Sequence, residues 1–160
     1  MRRKGFTLVE LVIVMAIIAI LSSMFIMSAS ESQRSADVTN VYNNLNNLRI
    51  AALAYYADNV GKNFDRDLST AVKAYTHDWE SVRNANNYYV INDTTNKNWW
   101  AVYHVQEPAQ FKARLAARAS SLGLKGTDKD ISAGNLPEAN PETYKSSQTY
   151  ALIKIRSGSK

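Results

Sequence analysis

Lys4-Gly5-Phe6-Thr7-Leu8-Val9-Glu10 opens an apolar run that continues to Ala29 with Glu10 as its only charged residue. The 24 residues 6–29 would make a helix of about 36 Å at 1.5 Å per residue, longer than the roughly 30 Å hydrocarbon core of a bilayer. Arg2, Arg3 and Lys4 stand directly before it. The bias of positive charge toward the cytoplasmic side then places the amino terminus in the cytoplasm and everything after Ser30 across the membrane.

Three readings compete for this segment. A secretory signal peptide would be cut near Ser28-Ala29-Ser30, but its apolar core is normally 7–15 residues and has no use for an embedded carboxylate. A plain membrane anchor explains the length and the flanking charge. It leaves Glu10 as an uncompensated cost of about 2.5–3.5 kcal/mol, less near the interface. The third reading accounts for all of these features. The short basic leader, the Gly5-Phe6 junction, Glu10 five positions into the following chain and the unbroken apolar run together resemble the processing site of type IV prepilins.

That resemblance implies a maturation and an assembly. A membrane-embedded prepilin peptidase would cleave between Gly5 and Phe6 on the cytoplasmic side, and the new amino group of Phe6 would be methylated. Glycine suits a cleavage point because it has no side chain to hold off the enzyme. Cutting there also removes three positive charges that tether the segment to the interface. Glu10 would meet the Phe6 amine of a neighbouring subunit, since two unpaired charges in an apolar filament core are each costly. Phe6 and Glu10 are thus the implied assembly residues. The implied partners are copies of the chain in a helical filament, the peptidase, the inner membrane before assembly, and a pilus or secretion assembly machinery. The implied location is the inner membrane first and then an extracellular pilus at the cell surface.

Composition agrees with one modest domain plus an appendage. The chain has 160 residues, 46% hydrophobic and 21% charged, and no cysteine, which excludes a disulfide framework and any thiolate metal site. The formal charge of +5 invites an anionic partner, but Arg2, Arg3 and Lys4 supply much of it. Without residues 1–5 the balance is sixteen basic against fourteen acidic residues, a net of +2. Residues 108–160 are mildly basic, with nine Lys or Arg against four Asp or Glu, a pattern that reads as a solvated surface.

Past Ser30, Val38, Val41, Leu45, Leu48, Ala52 and Tyr55 recur at spacings of three and four, which marks one apolar helical face. With no proline before Pro108, one helix can run over residues 6–57, about 78 Å. Many pilins carry a proline late in the apolar segment. Residues 22–29 offer none here, and only Ser22 and Ser23 can bend the helix through hydroxyl bonds to preceding carbonyls.

Beyond the stop at Asp58 to Gly61, Leu68, Val72 and Tyr75 predict a short helix. The β-branched and aromatic runs 88–91 and 99–105, separated by the turn-forming residues 92–98, predict a hairpin. Pro108 and Gly123 bracket a second amphipathic helix. Residues 125–144 read as a loop and 150–155 as a final strand. The expected fold is therefore α+β: a long N-terminal α-helix packed on a small antiparallel β-sheet head of three to four strands, pilin-like, with an additional short helix inserted between strands and a single core. The expected organisation is a leader over 1–5, a long helix over 6–57 (6–29 membrane or filament core, 30–57 amphipathic) and a head over 58–160.

Nothing in the chain reads as a catalytic site. His77 and His104 are the only histidines, and no nucleophile elbow, phosphate loop or paired-histidine zinc motif is present; no enzyme and no cofactor are expected. Asp128-Lys129-Asp130-Ile131-Ser132 alternates oxygen donors, but Ala133 and Ala139 occupy positions where a calcium loop needs glycine and glutamate. Trp99, Trp100 and Tyr103 near a basic region raise DNA capture as the weaker alternative, because alternate strand residues face opposite sides and cannot form one stacking platform. Asn92-Asp93-Thr94 matches a glycosylation triplet. The leading expectation is a structural subunit that polymerises into a type IV pilus, with roles in adhesion, motility or DNA uptake open to it. The alternatives are a pseudopilin of a type II secretion or competence system and a non-polymerising membrane-anchored binding domain.

Overall fold

The computed structural model describes residues 7–77, 87–131 and 135–157, and along 25–35 it describes the backbone alone. The chain divides into two compact units, Met1–Asp37 and Val38–Lys160. Helix α1, Leu8–Asp58, has 51 residues and supplies the ordered backbone of the first unit and the first element of the second. In the first unit, Ser23 Oγ donates to the Ile20 carbonyl at 2.7 Å, the hydroxyl-to-backbone bond that a serine in an apolar helix makes when no other acceptor is at hand.

In the second unit the predicted stripe is the buried face of α1: Val38, Val41, Leu45, Leu48 and Ala52 are all buried, with Tyr55 packed beside them. A short helix α2, Ser69–Val72, ends in a 3-10 turn, Lys73–Tyr75. Strands β1, Tyr88–Asp93, and β2, Asn98–His104, pair antiparallel with Tyr88 opposite Tyr103 and Asp93 opposite Asn98. The connection is tighter than the sequence predicts, four residues rather than seven. The Asp93 carboxylate accepts hydrogen bonds from the backbone N–H groups of Thr95 and Asn96, an Asx arrangement that builds the turn from its own side chain.

Helix α3, Ala109–Leu122, follows, with Pro108 at its N-cap rather than inside its first turn. It ends where predicted, because Gly123 adopts φ 67° and Leu124 N–H returns to the Ala119 carbonyl, a left-handed cap that glycine enters at low cost. Strands β3, Lys125–Thr127, and β4, Tyr150–Ser157, complete a four-stranded sheet in the order β1-β2-β4-β3. Strand β3 corrects the reading of 125–144 as loop; its three residues carry no alternation, and it exists because β4 offers it an edge, with Gly126 opposite Ala151.

The expectation of a single core is also corrected. Leu45, Leu48, Val90, Trp99, Ala101, Ala151, Ile153 and Ile155 cluster on the face toward α1. Ile91, Trp100, Val102, Tyr150 and Leu152 cluster on the other face, joined by Ile131 and Leu136 from the segment between β3 and β4. Continuous apolar runs such as Tyr150-Ala151-Leu152-Ile153 arise because the strand is buried on both sides. That covering segment is held by Arg66, which donates to the Asn135 carbonyl at 2.9 Å, and by Tyr150, whose hydroxyl donates to Asp130 at 2.8 Å.

Both sheet edges carry backbone partners along part of their length. Beside β1, Leu68 N–H donates to the Val90 carbonyl and Asn92 N–H to the Arg66 carbonyl, both under 3 Å. Beside β3, Gly126 N–H donates to the Glu142 carbonyl and Tyr144 N–H to the Leu124 carbonyl.

Candidate functional site at the amino terminus

Gly5 and Phe6 lie outside the described residues, as does the basic stretch before them. The described site begins at Thr7. Its hydroxyl and its backbone N–H both donate to Glu10 Oε2 at 2.8 Å, and Glu10 N–H returns to the Thr7 hydroxyl at 3.3 Å. This is a reciprocal capping box, Thr-x-x-Glu, which satisfies two of the backbone donors that every helix start leaves open. It also fixes the Glu10 carboxylate at the helix entrance, where the helix dipole favours negative charge. The sequence reading gave Glu10 only an intermolecular role; the Thr7-x-x-Glu10 spacing ahead of an apolar run was the signal that would have revealed the internal one.

Behind the cap, twelve large apolar side chains from Leu8 to Met24 are exposed, from 78% at Leu8 down to 49% at Val14. They point all round the helix rather than along one stripe. Such a helix is soluble only in another apolar environment. Among the described residues no helix is long and apolar enough to cross a membrane. The apolar run whose side chains are described covers 8–24, seventeen residues, or about 25 Å of helix; the predicted remainder to Ala29 has no described side chains.

The other candidates are structural in their surroundings. His104 stacks on Tyr150 at 4.6 Å and its Nδ1 lies 3.2 Å from Gln106 Nε2. His77 is exposed in a turn. Asp128 accepts from Thr149 and Asp130 from Tyr150, so the proposed donors of the calcium reading are engaged in holding the loop, and among the described residues no cluster of metal-ligating side chains is found. Trp99 and Trp100 fall on opposite faces despite a register shift between them, and with Tyr103 they are buried; none presents a ring to a base. Asn92 is buried and its amide donates to the Phe64 and Asp65 carbonyls, so the triplet it heads is a packing residue in the fold.

Residues 1–26 match the family model described as the prokaryotic N-terminal methylation motif. No curated protein and no solved structure is matched by the chain. The motif is the signature of type IV pilins and pseudopilins, and this chain carries it on an α+β fold of pilin-like character. It marks a structural subunit rather than an enzyme family. It implies processing by a prepilin peptidase and assembly into pilus or secretion machinery.

Proposed function

We propose that this chain is a structural subunit of a type IV pilus. It is cleaved between Gly5 and Phe6, methylated on the Phe6 amine, held in the inner membrane by its apolar helix, and then packed with copies of itself in a filament whose core is that helix. The observation that carries this reading is the apolar surface of residues 8–24 together with its single carboxylate. Burying twelve large side chains is worth on the order of 20 kcal/mol relative to water, so this segment does not remain in water. Lipid and a filament core are equally apolar for it. Transfer from one to the other therefore changes the hydrophobic term little, and the choice falls to the polar group.

Glu10 supplies that choice. Within a lone helix its carboxylate is satisfied by Thr7. In a filament it exchanges part of that bonding for the charged amine of a neighbour's Phe6, an ion pair that strengthens in a dry environment once both partners are desolvated together. Pairing at one point along an otherwise uniform apolar helix sets the stagger between subunits.

The test is to shear surface filaments from cells and determine the mass and amino terminus of their subunit. The expected product begins at Phe6 and carries one added methyl group. Glu10→Ala is expected to leave membrane insertion and cleavage intact and to abolish filaments. Finding the mature chain in the envelope but never in surface filaments would overturn this assignment in favour of a secretion or competence pseudopilin.

A further inference from the structure

The loop after α1, the turn between β1 and β2 and the end of β4 enclose an open groove of about 600 Å3. Its charged lining is Lys62, Lys97 and Arg156, with no carboxylate. Two other cavities of the head contrast with it: one of about 750 Å3 balances Lys129 against Glu138, and one of about 460 Å3 sets Lys129 against Asp128, Glu138 and Glu142. Among the described residues no carboxylate forms an ion pair with any of the three cations of the groove. Lys62 donates to the Asn59 amide oxygen at 2.8 Å. Lys97 sits at φ 54°, alone among the described non-glycine residues in the left-handed region, where asparagine or glycine is more at ease. The turn therefore places a cation at the groove in a backbone conformation that itself gains nothing from lysine.

Arg156 sets the chemistry further. Its guanidinium carbon lies 3.7 Å from the centre of the Tyr56 ring and 5.7 Å from that of Trp99. Phe64 braces the same stack, edge-on to Trp99 at 4.8 Å. The guanidinium is thus held by aromatic packing, not by an acid, and it is half-buried in the lining of the groove. Guanidinium planes stack on nucleobases, and flexible lysines take phosphates as point charges. An acidic polysaccharide would seek an open ring face for its sugars, but Tyr56 is covered by Arg156 and Trp99 is 2% exposed.

We propose that this groove binds single-stranded nucleic acid, one base against the Arg156–Tyr56 stack and the flanking phosphates on Lys62 and Lys97. The site uses none of the ring faces of Trp100 or Tyr103, and the inference does not rest on the pilus assignment.

The test is fluorescence anisotropy of the full chain in nonionic detergent with a labelled oligothymidine of about twelve nucleotides, an abasic oligomer of equal length and dextran sulfate. Oligothymidine is expected to bind about tenfold tighter than the abasic oligomer. Arg156→Lys, which keeps the charge, is expected to abolish that preference and leave abasic binding unchanged. Lys62→Gln with Lys97→Gln, both at exposed positions, is expected to weaken both oligomers and to lower the salt slope by about 1.4. Equal affinity for all three polymers, or oligothymidine binding indifferent to both sets of substitutions, overturns the proposal. The lysine pair keeps the test decisive should Arg156→Lys loosen the aromatic stack.

Discussion

Helix α1 contains two stretches of similar length that obey opposite rules. Over 8–24 apolar residues fill every side and remain exposed, and the one polar feature of consequence is a cap at the very start. Over 38–58 the stripe Val38, Val41, Leu45, Leu48 and Ala52 is buried against the sheet, while Asn40, Asn43 and Asn47 take the solvent side together with Ile50 and Leu53. Helix propensity separates the two stretches little. The difference lies in what each is able to bury by itself: the second stretch finds its partner within its own compact unit, whereas the first has all of its apolar surface outward.

This contrast can be broken or sharpened by substitution. The largest effect is expected for Leu48→Ala, because Leu48 is fully buried; it should lower the unfolding free energy of the head by about 2–5 kcal/mol, read from tryptophan fluorescence in denaturant. Ile17→Ala, equally apolar but exposed, should change that transition by less than about 0.5 kcal/mol. A comparable loss for both would erase the distinction between the stretches.

Gly126→Ala tests how tightly the head is closed away from α1. A Cβ there would overlap Gln148 Oε1 and meet the Tyr144 backbone at 2.9 Å, so a loss of about 1–3 kcal/mol is expected in the same assay. Wild-type stability would show that β3 and its neighbour part easily.

Alkaline titration probes the core under the second stretch. Burial pushes the Tyr88 and Tyr144 hydroxyls up to about 12, and burial with the hydrogen bond to Glu107 raises Tyr103 as well. Unfolded tyrosine ionises near pH 10. The neutral form is therefore favoured by folding: the contribution is complete below about pH 10 and is lost as pH rises toward 12. Tyr88→Phe should flatten part of that decline, and a denaturation midpoint constant from pH 9 to 12 would contradict the burial of these rings.

The smallest measurable loss belongs to the start of the first stretch. Thr7→Val removes the cap and should cost about 0.5–1 kcal/mol, seen as faster amide exchange at residues 8–11 in micelles, with Thr7→Ser restoring protection. Unchanged exchange would mean that the carboxylate of Glu10 is held by something other than Thr7.

The stripe of α1, the hairpin, α3 and β4 were legible because each carries a period or a punctuating residue: three-and-four spacing, a cluster of turn formers, Gly123 at a cap. Strand β3 was not, since Lys125-Gly126-Thr127 pairs only through backbone. The second core was half legible. The unbroken run in β4 is what a doubly covered strand looks like, but its cover, Ile131 and Leu136, sits in a polar loop whose path no periodicity reveals. At the amino terminus the spacing of Thr7 and Glu10 contained the cap. The groove of Lys62, Lys97 and Arg156 was invisible, because its three cations come from segments that only the tertiary fold brings together.

The bonded stretches of the sheet edges bear on how copies of this chain would associate. An open strand recruits any other open strand, regardless of sequence, and grows without limit. Here the outward backbone groups of Val90, Asn92 and Gly126 are already bonded within the chain. At these positions crowded heads find no free backbone group through which to fuse. Contacts made there form through side chains, which makes them selective and reversible.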